Sequence, residues 1–308
     1  MSQRLSVMVS GADGLVGRHI VRMLLDNGVE HVIAITRRGP RPVDERLHWI
    51  NADLCKSGDV DAMASLRPGI IVHAAAALPR SLDDVEASER NARMDAHLLA
   101  LARTAAAGFI YLSSQSVYER CALPWTEVLP VAPSSRYAAG KYRSERQVLA
   151  LPQVSAILRI SSPYSAATSE RSSVLYHFVR EAIAGHCLQV KGQGTRCQDF
   201  VHAADIACAV GAIVAAWRDK TRAMFTGIFN VASGRPISMI ELAKLVVASC
   251  GAGEISFSGV DPEASFRAEI SIKRADEILG WQPRVPLQAG IEQLIRRFRG
   301  LHEDWLAV

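Results

Sequence analysis

Along the first half of the chain, short runs that are apolar at nearly every position alternate with longer stretches whose apolar residues recur at helical spacing. The runs LSVMVSG (5–11), HVIAIT (31–36), LHWIN (47–51), IIVHAA (70–75), FIYLS (109–113) and VSAILRI (154–160) predict strands. A strand that is apolar throughout, rather than at every second residue, is buried on both faces, as in a parallel sheet covered by helices. LVGRHIVRMLLDNG (15–28) predicts the first helix, with Gly28 at its C-terminal cap. ERNARMDAHLLALARTAAAG (89–108) predicts another. Strand–helix alternation of this kind predicts an α/β fold built on a doubly wound parallel sheet.

After residue 160 the pattern loosens. SSPYSAATSERSS (161–173) reads as a polar loop, and KGQGTRCQDFVHAADIA (191–207) as a turn, a strand and a helix start. VASGRPISMIELAKLVVASCG (231–251) predicts a loop and a helix, with Ser238 as N-cap and Glu241 three residues on, the capping-box spacing. LGWQPRVPLQAGIEQLIRRF (279–298) is broken by prolines and then helical. The expectation is a smaller C-terminal α/β substrate lobe laid on the first unit. Residues 1–162 would form the dinucleotide-type unit, with the chain returning to it at about 198–231. Residues 163–197 and 232–308 would form the lobe. The longest apolar run, Ile206 to Trp217, is far short of the roughly 18 residues that suggest a membrane span. It predicts an Ala-rich buried helix.

The first candidate chemistry lies between the first strand and the first helix. SGADGLVG (10–17) places Gly11, Gly14 and Gly17 in the spacing GxxGxxG, with Asp13, Leu15 and Val16 between them. Glycines at such a turn let the backbone approach a pyrophosphate, and the helix N-terminus offers free N–H groups to it. The doubly wound sheet is therefore expected to be of the Rossmann type, with a bound dinucleotide. NAD sites usually carry an acid at the end of the second strand, for the ribose 2′-hydroxyl. Here the chain reads AITRRG, and the first acid afterwards is Asp44. Guanidinium groups suit a 2′-phosphate, so Arg37 and Arg38 favour NADP over NAD, unless both merely face solvent. Asp53 and Leu54, after the third strand, are expected at the adenine edge, although Asp53 is equally suited to cap a helix.

Composition narrows the class. The 308 residues carry 35 Lys and Arg against 31 Asp and Glu, a net charge of +4 without a Lys/Arg-rich run. Nucleic acid is not an expected partner. The six cysteines form no CxxC pair and stand at no metal-ligand spacing, so free thiols and no metal are expected. The start, MSQR followed by an apolar strand, shows no leader pattern, which with the thiols makes a cytoplasmic location the expectation.

Tyr137 and Lys141, in SSRYAAGKYRSE (134–145), stand four residues apart and so share a helix face. A nearby ammonium favours the phenolate form of a tyrosine. YLSSQSVY (111–118) starts on a strand and ends in a polar loop at the carboxyl edge of the sheet, where ligands bind. Taken with SGADGLVG, VHAAA (72–76), Asn91, PWTEVLPVAPSSRYAAGK (124–141), LRISSPY (158–164), GQGTRCQDFVHAADIA (192–207), FNVASG (229–234) and LGWQP (279–283), these marks resemble the extended short-chain dehydrogenases/reductases. Within them they resemble the NAD-dependent epimerase/dehydratase group, which acts mostly on nucleotide sugars. The resemblance covers nearly the whole chain.

The resemblance implies roles by motif. Ser114 would polarise the substrate oxygen, Tyr137 would be the general acid/base, and Lys141 would activate the tyrosine and bind the nicotinamide ribose. Ala74, Ala75, Ala76, Asn91 and Pro163 would belong to the cofactor site, Asn91 by supporting the centre. Gln115, Ser116, Ser162, Arg196, Gln198 and Arg267 would face the substrate. Three positions depart from the family pattern. Ser162 stands where asparagine is frequent, Gln198 where arginine often precedes the DF pair, and Ser271 where an acid is usual. Arg196 and Arg267 are possible stand-ins for a diphosphate-binding arginine. Dehydratases of the group carry an Asp-Glu pair after the Ser/Thr. Gln115 and Ser116 cannot do that acid–base work, so dehydration is not expected. His73 and His202 read as packing, and Glu127 as an organiser of the cleft. The expected activity is a 4-keto-sugar reductase or sugar 4-epimerase on a nucleotide-diphospho-sugar, in a homodimer. The alternatives are an NADPH-dependent reductase of a non-nucleotide carbonyl compound, or an NAD(P)-binding regulator without turnover.

Overall fold

A computed structural model of the chain describes residues 5–38, 45–81, 83–167, 173–219 and 225–300. Asp44 and the last eight residues lie outside them. In chain order the elements begin with β1 (Ser6–Ser10), α1 (Gly17–Asp26), β2 (His31–Thr36), β3 (Leu47–Asn51), α2 (Ser57–Asp61), β4 (Ile70–His73) and α3 (Val85–Ala105). β5 (Gly108–Ser114), α4 (Arg136–Leu149), β6 (Ser155–Ile160), β7 (Ser162–Tyr164), α5 (Val174–Ile183), β8 (Cys187–Lys191), β9 (Cys197–Gln198) and β10 (Phe200–His202) follow. α6 (Ala203–Arg218), β11 (Gly227–Val231), β12 (Ile237–Ser238), α7 (Met239–Cys250), β13 (Glu254–Ser258), α8 (Lys273–Leu279) and α9 (Leu287–Phe298) complete them. A 3-10 turn, Gln115–Tyr118, follows β5 directly.

Seven strands form the central parallel sheet in the order β11-β6-β5-β4-β1-β2-β3. This is the Rossmann-type α/β sheet expected from the continuous apolar runs. Both faces are covered. α1 and α6 bury Ile20, Leu24, Ile206, Val210 and Ile213 against one face. α3 and α4 bury Leu98, Leu99 and Val148 against the other. The apolar run at Ile206–Trp217 is thus the α6 helix, packed into the sheet. The order reverses between β1 and β4, which opens a crevice at the carboxyl ends of the strands. A separate cluster gathers Tyr164, Phe178, Leu188, Leu242 and Ile291 from β7, α5, β8, α7 and α9 beside that edge.

Several element ends differ from the periodicity for identifiable reasons. α3 starts at Val85, four residues before the expected start, because the Asp84 carboxylate caps it by accepting the Ala87 N–H at 3.0 Å. Gly108, expected to close this helix, instead opens β5. A side chain there would meet the Trp217 ring at 2.8 Å. β4 stops at His73 rather than Ala75, since the Ala74 and Ala75 N–H groups turn away to the Ser10 hydroxyl, at 3.1 and 3.2 Å. The capping box of α7 is present, with Ser238 and Glu241 bonded reciprocally. Gly28 follows the last residues of α1 with φ +71, and its N–H reaches the Leu25 carbonyl at 3.1 Å.

Candidate active site

The crevice at the switch point is a cleft of about 590 Å³. One wall is the turn between β1 and α1. Gly11 has φ +64, and a Cβ on it would lie 2.8 Å from the Ala75 backbone. On Gly17 a Cβ would lie 2.0 Å from the Gly11 carbonyl. Only hydrogen atoms fit at these two positions, so the glycines are dictated by close packing of the turn. α1 has Val16 as its N-cap, with no side chain capping it. Apart from the Arg18 N–H, which reaches the Gly14 carbonyl at 3.3 Å, a pyrophosphate at this helix N-terminus would meet the remaining donors and the positive dipole end. The turn fits a dinucleotide. Gly11, Asp13, Gly14, Leu15, Val16 and Gly17 all line the cleft.

The second wall is the end of β2. Arg37 and Arg38 line the cleft and are exposed. Arg38 is anchored, its Nε lying 3.4 Å from the Asp13 carboxylate and its N–H donating to the Thr36 hydroxyl at 3.0 Å. Leu54, Ala74, Ala75, Ala76 and Pro163 line the cleft as well. Two expected cofactor residues do not. Asn91 is buried, and both ends of its amide are taken by the Ala77 backbone, at 2.7 and 3.0 Å. It shapes the loop that follows β4. Asp53 accepts the Cys55 N–H at 3.0 Å, a local turn bond. That bond, the largest cause, outweighs the effect of burial and, with the charges of Arg37 and other neighbours, holds its carboxyl below the usual range. Asp53 does not cap α2, whose N-cap is Lys56 with no side-chain cap.

The floor carries the Tyr–Lys face. Ser135 caps α4, accepting the Ala138 N–H at 3.3 Å. The Glu119 carboxylate grips the preceding loop through the N–H groups of Ser134 and Ser135, at 2.9 and 3.0 Å. Burial raises the Glu119 pKa, but these donors more than offset it and the carboxyl is held low. Tyr137 and Lys141 both line the cleft. Lys141 is nearly buried. Its Nζ donates to the Leu112 carbonyl at 3.1 Å and stands 4.6 Å from the Tyr111 ring centroid. Ser114, at the end of β5, also lines the cleft, and its Oγ accepts the Ser116 N–H at 3.1 Å. The three side chains that the resemblance links are therefore gathered in one cleft with the glycine turn.

Buried charge holds α4 in place. Glu145 and Arg159, both almost fully buried, form a two-pronged pair at 2.7 and 3.0 Å, and Ser113 donates to Glu145 at 2.6 Å. Beyond them the Tyr118 hydroxyl donates to Asn230 at 2.6 Å, and burial pushes its pKa up to about 12. The Asn230 N–H donates to the Glu127 carboxylate at 2.8 Å, which places Glu127 in the support of the cleft. His73 is buried between Ser10 and Asp95, both at 2.8 Å. His202 packs against the rings of His19 and Tyr164.

The expected substrate residues other than Ser114 lie outside the lining of this cleft. Gln115 is buried, and its amide oxygen meets no partner. The Gln198 amide donates to the Ser162 hydroxyl at 2.6 Å, so two of the departures from the family pattern bond each other. Arg196 is ion-paired to Glu263. Arg267 meets the Cys197 sulfur at 2.7 Å. Lining residues that the motifs did not indicate include Thr36, Arg90, Met94 and Ser161. Thr36 ends β2 and Ser161 follows β6 at the carboxyl edge, a positional signal legible in the sequence. Arg90 and Met94 come from α3, and only the packing of that helix brings them in.

A family model described as the NAD dependent epimerase/dehydratase family matches residues 7–232. The chain belongs to that family and is an enzyme of the short-chain dehydrogenase/reductase type. The UDP-glucose 4-epimerase of Mycolicibacterium smegmatis is 28% identical over 314 residues, covering 95% of this chain and 98% of the relative. The dTDP-4-dehydro-6-deoxy-D-allose reductase of Streptomyces bikiniensis is 27% identical over 326 residues, covering 96% of each. Among solved structures, the Thermus thermophilus UDP-glucose 4-epimerase in complex with NAD shares the fold. Its TM-score is 0.81 at 24% identity, with 96% of this chain and 99% of that one covered. Among the described residues no helix is long and apolar enough to cross a membrane.

Proposed function

We propose that the chain is an oxidoreductase or epimerase acting at carbon 4 of a nucleotide-diphospho-sugar, either a 4-keto-sugar reductase or a sugar 4-epimerase. The carrying observation is that Ser114, Tyr137 and Lys141 line the same cleft as the glycine turn. When bound, the nicotinamide cofactor supplies or accepts a hydride. Residues 11–17 would hold its pyrophosphate, and Lys141 its ribose. As the sugar alcohol is oxidised, Tyr137 takes the hydroxyl proton, and on reduction it returns that proton to the oxygen. Ser114 donates a hydrogen bond to the same oxygen, fixing it within reach of the phenol. Arg37 and Arg38 favour NADP, since a 2′-phosphate is a bidentate acceptor for guanidinium. That preference tilts the reading toward the reductase, because NADPH is the usual reductant. A homodimer through α3 and α4 and a cytoplasmic location are part of the same reading.

A second reading, reduction of a carbonyl compound without a nucleotide, draws support from the Gln198–Ser162 bond and the engaged Arg196 and Arg267. Thermal-shift measurements with NADH, NADPH and UDP-, dTDP-, GDP- and CDP-sugars separate the two. Stabilisation by NADPH and by at least one sugar nucleotide, with turnover lost and cofactor affinity kept in Tyr137→Phe, supports the first. Stabilisation by NADPH but by no nucleotide transfers the assignment to the second. Turnover surviving in Tyr137→Phe refutes the catalytic role of that phenol in either case. A wild-type protein that binds cofactor but turns over nothing would be the regulator.

A further inference from the structure

Beneath the Tyr137–Lys141 pair lies a buried carboxylate that the proposed chemistry does not use. Asp95, on α3, is 3% exposed and does not line the cleft. It accepts hydrogen bonds from His73 Nε2 at 2.8 Å, from the Tyr111 hydroxyl at 2.8 Å and from the Ser144 hydroxyl at 2.5 Å. The donors come from β4, β5 and α4, so this one group ties three elements together at the carboxyl edge of the sheet.

The network runs on from Asp95 across the sheet. Ser10, His73 and Tyr111 are register neighbours across β1, β4 and β5. The Ser10 oxygen already accepts the N–H groups of Ala74 and Ala75. The Ser10 hydroxyl also lies 2.8 Å from His73 Nδ1, and the other ring nitrogen, Nε2, meets Asp95 at 2.8 Å. Burial pushes the Asp95 pKa up. The hydrogen bond and field of His73, the Lys141 ammonium and the Ser144 hydroxyl more than offset it and hold the carboxyl at about 2. Asp95 is an anion at every working pH.

A buried anion requires a cation. Glu145, the other buried acid on α4, is already matched by Arg159. Two of the donors to Asp95 are uncharged hydroxyls. A lysine cation acts on Asp95 as well: the Lys141 Nζ lies 4.6 Å from the centroid of the Tyr111 ring, the same ring whose hydroxyl is bonded to Asp95. Tyr137 stands one helical turn from Lys141 on α4 and lines the same cleft.

We propose that Asp95 is a positioning residue for the Tyr137–Lys141 pair: it is the buried counter-charge of Lys141, and through Ser144 on one side and His73–Ser10 on the other it fixes α4 relative to the loop at Ala74–Ala77. The role assigned to the pair rests on the function proposed above, whereas the electrostatic link does not. The link is tested without substrate, by following tyrosine ionisation through absorbance at 295 nm. The contribution of Tyr137 is identified as the part missing in Tyr137→Phe. Asp95→Asn removes the anion, and an anion disfavours a phenolate. The Tyr137 transition should move to lower pH. Tyr111→Phe keeps the ring under Lys141 and deletes one donor to Asp95. It leaves the carboxylate less neutralised and should move the transition the opposite way. A merely structural role predicts no such pair of opposite displacements. If Asp95→Asn does not fold, Tyr111→Phe alone decides. A transition unmoved, or moved in the other sense, in the folded variants overturns the proposal. Turnover that persists in Tyr137→Phe sinks the functional reading instead, and leaves this titration standing.

Discussion

Mild acid should destabilise this enzyme through one histidine in α1. His19 is almost fully buried. Its Nε2 lies 2.7 Å from the Ser165 hydroxyl and its ring 5.6 Å from that of His202. Burial, then the charges of His202 and Arg18, lower its pKa from 6.5 to about 3. The unfolded chain binds a proton at this site below pH 6.5, while the folded chain does not until about pH 3. Stability from this group is therefore fully present above pH 6.5 and is lost progressively as the pH falls toward 3. At pH 5 the unfolded state is favoured by about 2 kcal/mol, from RT ln(1 + 10^1.5). At pH 7 the penalty is only about 0.2 kcal/mol. His19→Gln keeps a polar group near Ser165 and cannot take up the proton. Urea denaturation at pH 7 and pH 5 should then show the wild type losing about 2 kcal/mol more than the variant over that interval. Burial also lowers the His202 pKa, and that contribution remains in both proteins. Equal losses in the two proteins would refute the assignment.

Gly11→Ala should place a methyl group 2.8 Å from the Ala75 backbone at a left-handed position. It should abolish NAD(P)H binding, read by nucleotide fluorescence, and lower stability by about 1–2 kcal/mol from backbone strain alone. Arg159→Met should strand the buried Glu145 carboxylate and cost about 3–5 kcal/mol in chemical denaturation. Pairing it with Glu145→Leu should recover most of that loss, and a double variant no better than the single one counts against the ion-pair account. Ser238→Ala should cost about 1 kcal/mol by breaking the α7 capping box, with no change in cofactor affinity.

What the sequence by itself determined was the local and the periodic. Apolar runs bounded by turn residues set six strands of the seven-stranded sheet, because a strand with no polar face has to be covered on both sides, whereas β11 is not among the strands they predict. The glycine turn was legible because chain geometry leaves no room for a side chain at Gly11 or Gly17. Tyr137 and Lys141 announced themselves because a helix turns in 3.6 residues. What tertiary structure decided was where polar atoms find partners. Asn91, four residues from Asp95 on the same helix, spends its amide on Ala77. Asp95 carried no motif, yet β4, β5 and α4 deliver three donors to it. Gln198 and Ser162, 36 residues apart in the chain, satisfy each other. Spacing along a chain fixes which side chains share a face. Satisfaction of buried hydrogen bonds and charges depends on elements distant in sequence, and only the folded arrangement brings those together.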